Sequence, residues 1–194
     1  GKRFDVRVCD LLGGAVREEV PFGAYLFYKE AGAGGALAFG TDDTAEGWAS
    51  IRQMETKSPE SVVRQAQSLI DEYGFKSIKL KGGVLPPDDE ADAIFALRDT
   101  FGKDVPLRLD PNAVWNVETG IRIGKKLDPV LEYLEDPVRG QENMATVGKA
   151  IESPLATNMC TTSFEDIPNS VRLHSEDVIL TDHHYWGGLK ACID

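Results

Sequence analysis

The feature that most restricts the possible folds is a strand–helix unit that repeats along most of the chain. Short apolar segments alternate with segments whose apolar residues recur at helical spacing. The predicted strands are residues 22–28, 77–81, 105–109, 130–134, 154–157 and 178–181, and the predicted helices are residues 58–73, 87–101, 117–127, 141–151 and 165–173. Strands that alternate with helices predict parallel βαβ units and an α/β fold.

Two α/β architectures can hold six such units. An open, doubly wound sheet usually has a glycine-rich phosphate-binding turn directly after its first strand. Gly32, Gly34 and Gly35 follow the first predicted strand but lack the spacing of that turn. A (β/α)8 barrel of the TIM type does not need such a turn. The positions of the polar residues distinguish the barrel from the open sheet.

Polar side chains follow the predicted strands at a nearly constant interval. The steps between them are 29, 25, 23 and 24 residues, which is one βα unit each time, and the residues are Lys81, Asp110, Glu135, Asn158 and Asp182. In a (β/α)8 barrel the carboxyl ends of the strands surround one mouth, whereas an open sheet spreads them along an edge. The pattern therefore favours a barrel, of which this chain supplies about six βα units.

Two lysines, Lys79 and Lys81, end the second predicted strand. Alternate residues of a strand lie on one face, so both ammonium groups are expected in one cavity while Leu80 packs on the opposite face. Like charges held close together lower each other's pKa, which would bring a lysine toward the neutral form that a general base needs. Taken alone, such a pair is more often two solvated surface lysines.

Side-chain oxygens end three successive strands, at Asp110, Glu135 and Asn158. Magnesium prefers oxygen ligands in near-octahedral geometry, so these residues predict a Mg²⁺ site. Asn112 lies two residues after Asp110 and is expected on the same face of its strand. Any one of these residues could instead cap the following helix, but their recurrence at the same place in successive βα units favours a metal site.

Five segments in this order resemble the strand-end motifs of the glucarate dehydratases of the enolase superfamily. They are KLKGG at 79–83, LDPN at 109–112, YLEDP at 133–137, ATNM at 156–159 and DHHYW at 182–186. Two features resemble the glucarate and galactarate branch in particular. They are Asn158, where many superfamily members have an acidic residue, and the YLF segment at 25–27.

The resemblance implies a dehydratase that removes the proton alpha to a carboxylate and then eliminates the beta hydroxyl. Magnesium held by Asp110, a glutamate and Asn158 would bind the substrate carboxylate and stabilise the enediolate. The glutamate would be Glu135 at the strand end, with Glu142 in the following loop as the alternative.

The same resemblance assigns roles to the remaining residues. Lys81 would remove the alpha proton, and Lys79 would neutralise carboxylate charge. Asn112 and Tyr25 would contact the substrate, a small diacid sugar. Asp182 would orient a second base, a histidine from the seventh strand.

Composition limits the partners. A net charge of −11 and the lack of a basic run argue against binding of nucleic acid. No apolar run approaches the roughly 20 residues that span a membrane. Three cysteines that lack the spacing of a disulfide framework are typical of a protein in a reducing compartment, so we expect a cytoplasmic protein. We also expect a homo-oligomer.

The expected organisation is a linker or helix tail of a capping domain at 1–14, followed by a partial barrel at 15–194. Units seven and eight and the capping domain would lie outside this sequence, so the chain by itself is expected to be inactive and to associate through open sheet edges. Residues 30–57 are long and glycine-rich for a connection, which is typical of a lid or of a surface insertion. A racemase or cycloisomerase of the superfamily and a non-catalytic scaffold are the alternative functions.

Overall fold

The computed structural model describes residues 1–32, 46–52 and 54–193. The strands are β1 Gly23–Phe27, β2 Ser77–Lys81, β3 Leu107–Asp110, β4 Tyr133–Glu135, β5 Leu155–Thr157 and β6 Val178–Ile179. The helices are α1 Val8–Leu11, α2 Gly47–Ile51, α3 Pro59–Tyr73, α4 Pro87–Phe101, α5 Val117–Leu127, α6 Gln141–Gly148 and α7 Ile167–Leu173, with short 3-10 helices at Lys2–Phe4 and Phe164–Asp166.

Local sequence determines where helix α3 begins and ends. The Ser58 side chain accepts a hydrogen bond from the Ser61 N–H at 3.3 Å, and Pro59 takes the first helical position, where no N–H is needed. At the other end Gly74 adopts the left-handed conformation, with φ 68° and ψ 28°. These signals explain why the bounds of this helix could be predicted closely.

The six strands form one parallel sheet in the order β1-β2-β3-β4-β5-β6. A doubly wound sheet would reverse its strand order at a switch point, and this sheet does not. Consecutive parallel strands with right-handed crossovers place the connecting helices on the same face of the sheet. The α/β fold and the predicted barrel architecture are therefore confirmed, as a six-stranded part of a (β/α)8-type barrel.

The hydrophobic core lies between the sheet and the helices. The strand residues that face the helices are almost completely buried, and they include Leu26, Ile78, Leu80, Leu109 and Leu134. Fully burying one such side chain stabilises the fold by about 2 kcal/mol. Leu80 lies in this core between Lys79 and Lys81, as the alternation of strand residues predicted, and the lysines therefore lie on the opposite, inner face.

Two strands begin two or three residues later than the sequence predicted. Strand β4 begins at Tyr133 rather than at residue 130, because the N–H groups of Val130 and Leu131 bond to the Leu127 carbonyl at 2.9 and 3.1 Å and extend the end of α5. Strand β3 begins at Leu107, directly after Pro106, rather than at residue 105. Helix α6 ends at Gly148, three residues before the predicted end.

The first part of the chain is less regular. Within 1–14 the structure has a 3-10 turn and the four-residue α1, neither of which contains a buried residue, and the assignment of this segment to a capping domain stays a prediction. The predicted lid at 30–57 is closed at its base by an antiparallel bridge between Lys29 and Thr56. Its residues 33–45 and 53 lie outside the described residues. Among the helices described, none is both long and apolar enough to cross a membrane.

The turn after β2 is held by a buried carboxylate that the sequence did not single out. Glu90, in the first turn of α4, is fully buried and accepts the backbone N–H groups of Gly83, Val84 and Leu85 at 3.0, 2.9 and 2.9 Å. On the other side of this turn, a Cβ at Gly83 would lie 2.3 Å from the Pro111 carbonyl oxygen. The turn that follows Lys81 is therefore fixed from two directions.

We expect Gly83→Ala to destabilise the fold more than a matched substitution at Gly74. Both glycines have positive φ, +75° and +68°, but no atom of the described residues lies within 4 Å of a Cβ at Gly74. Gly74→Ala should cost about 1–2 kcal/mol for the left-handed backbone alone. Gly83→Ala should cost roughly 1–3 kcal/mol more, because the turn must move away from Pro111. Equal losses in urea unfolding would contradict the close approach at Gly83.

Candidate active site

Four charged side chains meet at the carboxyl ends of β2, β3 and β4. The Lys81 Nζ lies 2.7 Å from Asp110 Oδ2, and the Lys79 Nζ lies 3.3 Å from the same oxygen. Lys79 also donates a hydrogen bond to Glu135 Oε2. Lys79 of β2 thus reaches across β3 to a carboxylate of β4. The predicted convergence of Lys79, Lys81, Asp110 and Glu135 is observed.

The electrostatic expectation for the lysine pair is wrong for Lys79. Burial lowers the pKa of Lys79, but the nearby carboxylates of Glu135 and Asp110 more than offset this and raise the pKa above its ordinary value. The sequence argument considered only the two like charges. In the structure each ammonium group lies closest to a carboxylate, and the attraction between opposite charges exceeds the repulsion between the lysines.

The two carboxylates are affected in opposite directions. Burial raises the pKa of Glu135, and the neighbouring charge of Asp110 raises it further, to about 7, against the opposing effect of Lys79. Burial would also raise the pKa of Asp110, but the hydrogen bond from Lys81 and the charges of both lysines hold it below its ordinary value. Glu135 is therefore the carboxylate whose negative charge is less well compensated.

The prediction that Asn112 shares a strand face with Asp110 is wrong. Strand β3 ends at Asp110, and Asn112 adopts a left-handed φ of 63° in the following turn. Its backbone N–H donates to Asp110 Oδ1 at 2.9 Å, which closes a turn of the kind that aspartate favours, with Pro111 between them. The Asn112 side chain is exposed at the rim.

Asn158 follows β5, and its amide has a defined orientation. The Asn158 Nδ2 donates to Asp182 Oδ2 at 3.0 Å. The opposite amide orientation would place two oxygens in contact, so the carboxylate determines which way the amide points. The sequence predicted Asp182 at this rim but did not predict this contact, which gives Asp182 a role toward Asn158.

Two oxygens of predicted metal ligands are buried and have no partner in the described part of the chain. Glu135 Oε1 and Asn158 Oδ1 find no hydrogen-bond partner among the described residues. A buried acceptor without a donor is costly, so such atoms call for a ligand. Both belong to the predicted magnesium set, and carboxylate and amide oxygens are the ligands that Mg²⁺ prefers. The residues present therefore fit a hard divalent cation.

The candidate metal ligands are the carboxylates of Asp110 and Glu135 and the amide of Asn158. In the described part of the chain no group of three His, Cys, Asp or Glu side chains is suited to a metal, so the fit depends on the amide of Asn158. The alternative glutamate, Glu142, is exposed in the first turn of α6. Glu135 is fully buried against Lys79 and is the better placed of the two.

Tyr25 lies beside Lys79, and its contact with the substrate stays a prediction. It pairs in register with Lys79, whose Nζ is 5.1 Å from the centre of the Tyr25 ring. The sequence analysis assigned no role to Glu90, Asp136 or Thr157, which hold the turns around the site. For Asp136 the only signal was its place directly after Glu135 at a strand end.

The fold and the polar cluster define the class of this protein: a parallel (β/α)-barrel domain whose candidate site lies at the carboxyl ends of its strands. Residues 61–194 match the family described as enolase C-terminal domain-like. The chain belongs to this family, within the enolase superfamily.

One curated relative is the probable glucarate dehydratase of Streptomyces coelicolor, which is 46% identical over 190 residues. The alignment covers 98% of this chain and 42% of that protein, so this chain spans about two fifths of the relative's length. The L-talarate/galactarate dehydratase of Salmonella typhimurium is 31% identical over 122 residues, covering 61% of this chain and 31% of that protein.

Solved structures agree with this placement. An enolase of Thermobispora bispora, complexed with magnesium and formate, superposes with a TM-score of 0.84 at 53% identity, covering 98% of this chain and 42% of that one. An enolase of Pseudomonas fluorescens, with bound magnesium, potassium and tartrate, superposes with a TM-score of 0.83 at 44% identity and the same coverage.

Another branch of the superfamily also matches. The o-succinylbenzoate synthase of Thermobifida fusca is 28% identical over 133 residues, covering 66% of this chain and 42% of that protein. Membership of the superfamily therefore does not by itself select the reaction, whereas the two relatives described above, at 46% and 31% identity, are named as dehydratases.

We expect Asn158→Asp to destabilise the fold through repulsion from Asp182. The substitution replaces the donor that lies 3.0 Å from Asp182 Oδ2 with an oxygen. Without added metal at neutral pH, the free energy of unfolding should fall by about 1–3 kcal/mol. Combining it with Asp182→Asn should recover most of this loss, because a donor again faces an acceptor. Purely additive effects in the double-mutant cycle would show that the two side chains do not interact.

Proposed function

We propose that this protein is a magnesium-dependent dehydratase of acid sugars, of the glucarate or galactarate type. The observation that carries the proposal is that Glu135 Oε1, in the cluster with Asp110 and the two lysines, and Asn158 Oδ1, at the end of the adjacent β5, are buried and have no hydrogen-bond partner among the described residues. Enolase-superfamily sites combine a magnesium ion with a lysine or histidine base to remove a proton alpha to a carboxylate, and the candidate cation site here lies next to two lysines. Because this chain spans about two fifths of its first relative, the activity is proposed for the protein that carries this segment.

Asp110, Glu135 and Asn158 would hold the cation, each through a side-chain oxygen. Magnesium bound there would supply positive charge beside the substrate carboxylate. The lysines already contact the carboxylates that the cation would use, since Lys79 and Lys81 lie 3.3 and 2.7 Å from Asp110 Oδ2. Cation and ammonium groups would therefore compete for Asp110.

Lys81 is the proposed base, because it lies on the inner face at the rim, where the substrate would enter. As the neutral amine it would take the alpha proton of the diacid on its Nζ; the beta carbon–oxygen bond would then break, and the hydroxyl would take up a proton and leave as water. Lys79, deeper in the sheet and with a raised pKa, would keep its charge and neutralise the substrate carboxylate. Tyr25 and Asn112, both exposed at the rim, would contact the rest of the substrate.

The relatives support the substrate class. The probable glucarate dehydratase and the L-talarate/galactarate dehydratase act on diacid sugars by their names, and one structural neighbour holds magnesium together with tartrate, a small hydroxy diacid. Asp182 would keep the Asn158 amide turned toward the cation, and the proposal that it also orients a histidine concerns residues outside this sequence.

We expect Mg²⁺ to bind and to stabilise the chain, and Asp110→Ala to abolish both effects. A ligand at 100 times its Kd raises the free energy of unfolding by about 2.7 kcal/mol, which gives a clear shift of the melting temperature. Calorimetric titration and thermal unfolding with and without Mg²⁺ measure the two effects.

Two glutamate variants serve as matched controls for this titration. Glu135→Gln should weaken Mg²⁺ binding, whereas Glu142→Gln, on the exposed face of α6, should leave the affinity unchanged. The reverse result would transfer the ligand role to Glu142. An unchanged Mg²⁺ affinity in Asp110→Ala would show that Asp110 is not a metal ligand and that the proposed site is wrong.

We expect Lys81→Ala to abolish exchange of the substrate alpha proton with deuterated water for one epimer. The measurement is NMR of glucarate or galactarate incubated with the protein expressed from its complete gene. Mg²⁺ affinity should be retained or increased, because Asp110 loses a competing ammonium group. Lys126→Ala on the surface of α5 is the control and should exchange normally. Exchange at the normal rate without Lys81 would assign the base elsewhere, and exchange without dehydration would favour the racemase branch.

A further inference from the structure

Asp136 is a buried carboxylate that the proposed reaction does not use. It directly follows Glu135, is fully buried, and has a positive φ of 39°. Within the described residues no salt bridge to Asp136 is present, although a buried carboxylate costs several kcal/mol unless it is well compensated. Hydrogen-bond donors compensate it instead, and their arrangement shows what this side chain does.

The donors come from the turn that follows β5. The Asn158 N–H donates to Asp136 Oδ2 at 2.9 Å, and the Thr157 hydroxyl donates to Asp136 Oδ1. The direction of the second bond is determined, because Thr157 Oγ1 already accepts the N–H groups of Met159 and Cys160 at 3.1 and 2.8 Å. The hydroxyl proton must therefore point at Asp136. Both oxygens of Asp136 face donors, which an amide in its place cannot satisfy.

The backbone of Asp136 connects two further turns. Its N–H donates to the Ala156 carbonyl at 2.9 Å, and its carbonyl accepts the Ala113 N–H at 2.7 Å. Ala113 follows Asn112, and both have positive φ. One residue thus joins the turns that end β3, β4 and β5, which are the turns that present the candidate ligands and substrate contacts.

Asn158 is held at two points, and its free oxygen follows from them. Asp136 binds the backbone N–H of Asn158, and Asp182 binds its Nδ2. With the backbone and the amide nitrogen both held, Oδ1 is left buried, with no hydrogen-bond partner from the residues that the structure describes. A ligand oxygen that is held in this way binds a cation without first losing conformational freedom.

We propose that Asp136 is a positioning residue that holds Asn158, through the Asn158 N–H and the Thr157 hydroxyl, in the place where its amide oxygen can bind the cation. This inference rests on the proposed function for the identity of the cation. The hydrogen bonds themselves do not depend on it, which allows the two to be tested separately.

The experiment compares Mg²⁺ affinity in four variants of this chain by calorimetric titration. Asp136→Asn should raise the Kd for Mg²⁺ by about 10- to 100-fold, as loss of an outer hydrogen-bond partner does at other metal sites. Thr157→Val should act in the same direction, and Thr157→Ser, which keeps the hydroxyl, should bind like the unaltered chain. Asp177→Asn is the control: Asp177 Oδ2 accepts the Leu155 N–H at 2.8 Å at the opposite end of β5.

A general structural role would give a different result. If Asp177→Asn raised the Kd as much as Asp136→Asn, or if Asp136→Asn bound Mg²⁺ normally, the positioning role would be overturned. The same conclusion would follow if Thr157→Ser failed to preserve the affinity. Thermal unfolding of each variant identifies a loss of fold, and Thr157→Val replaces Asp136→Asn as the deciding variant if the latter does not fold.

A second measurement separates this inference from the proposed function. In NMR spectra of ¹⁵N-labelled chain without metal, the backbone N–H of Asn158 should exchange with solvent more slowly than in Asp136→Asn. The two Nδ2 protons of Asn158 should also change their chemical shifts in that variant. If the unaltered chain bound no Mg²⁺ but these changes occurred, the metal proposal would fail and the positioning role would stand. Unchanged exchange and chemical shifts would overturn the positioning role whatever the metal result.

Discussion

The site depends on one constraint, the pairing of consecutive strands in parallel. Because each strand pairs with the next one along the chain, the helices that connect the strands pack on one face and the carboxyl ends of the strands lie along one rim. The face toward the helices is apolar and buried, and it includes Leu80 and Leu109. The alternate residues are thereby placed on the inner face, where Lys79 and Lys81 contact carboxylates from the neighbouring strands.

Opposite charges dominate the electrostatics of this inner face. Two buried carboxylates raise the pKa of Lys79 although burial alone would lower it, and the lysines in turn keep the pKa of Asp110 low. Glu135 is compensated less, and one of its oxygens has no partner among the described residues. A divalent cation would remove this imbalance, which is why the oxygen set and the lysines are best understood as one site.

Two other buried carboxylates have a different function in the structure. Glu90 accepts three backbone N–H groups of the turn after β2, and Asp136 accepts a backbone N–H and a hydroxyl of the turn after β5. Neither has an ion pair in the described part of the chain, so backbone dipoles compensate them. The charged residues at the carboxyl ends of the strands thus divide into those that lie on the inner face of the sheet and those that hold the turns.

The sequence by itself determined the strand–helix repeat, the bounds of helices such as α4 and α5, and the convergence of Lys79, Lys81, Asp110 and Glu135 at one rim. These properties follow from apolar periodicity and from the two-residue alternation of strands, which are local and can be read along the chain. Only the tertiary structure decided the charge state favoured at Lys79, the turn at Asn112, and the contacts of Asp136 and Asp182 with Asn158. Those properties depend on distances between residues more than twenty positions apart or on turn geometry beyond a strand end, and neither has a periodic signature in the sequence.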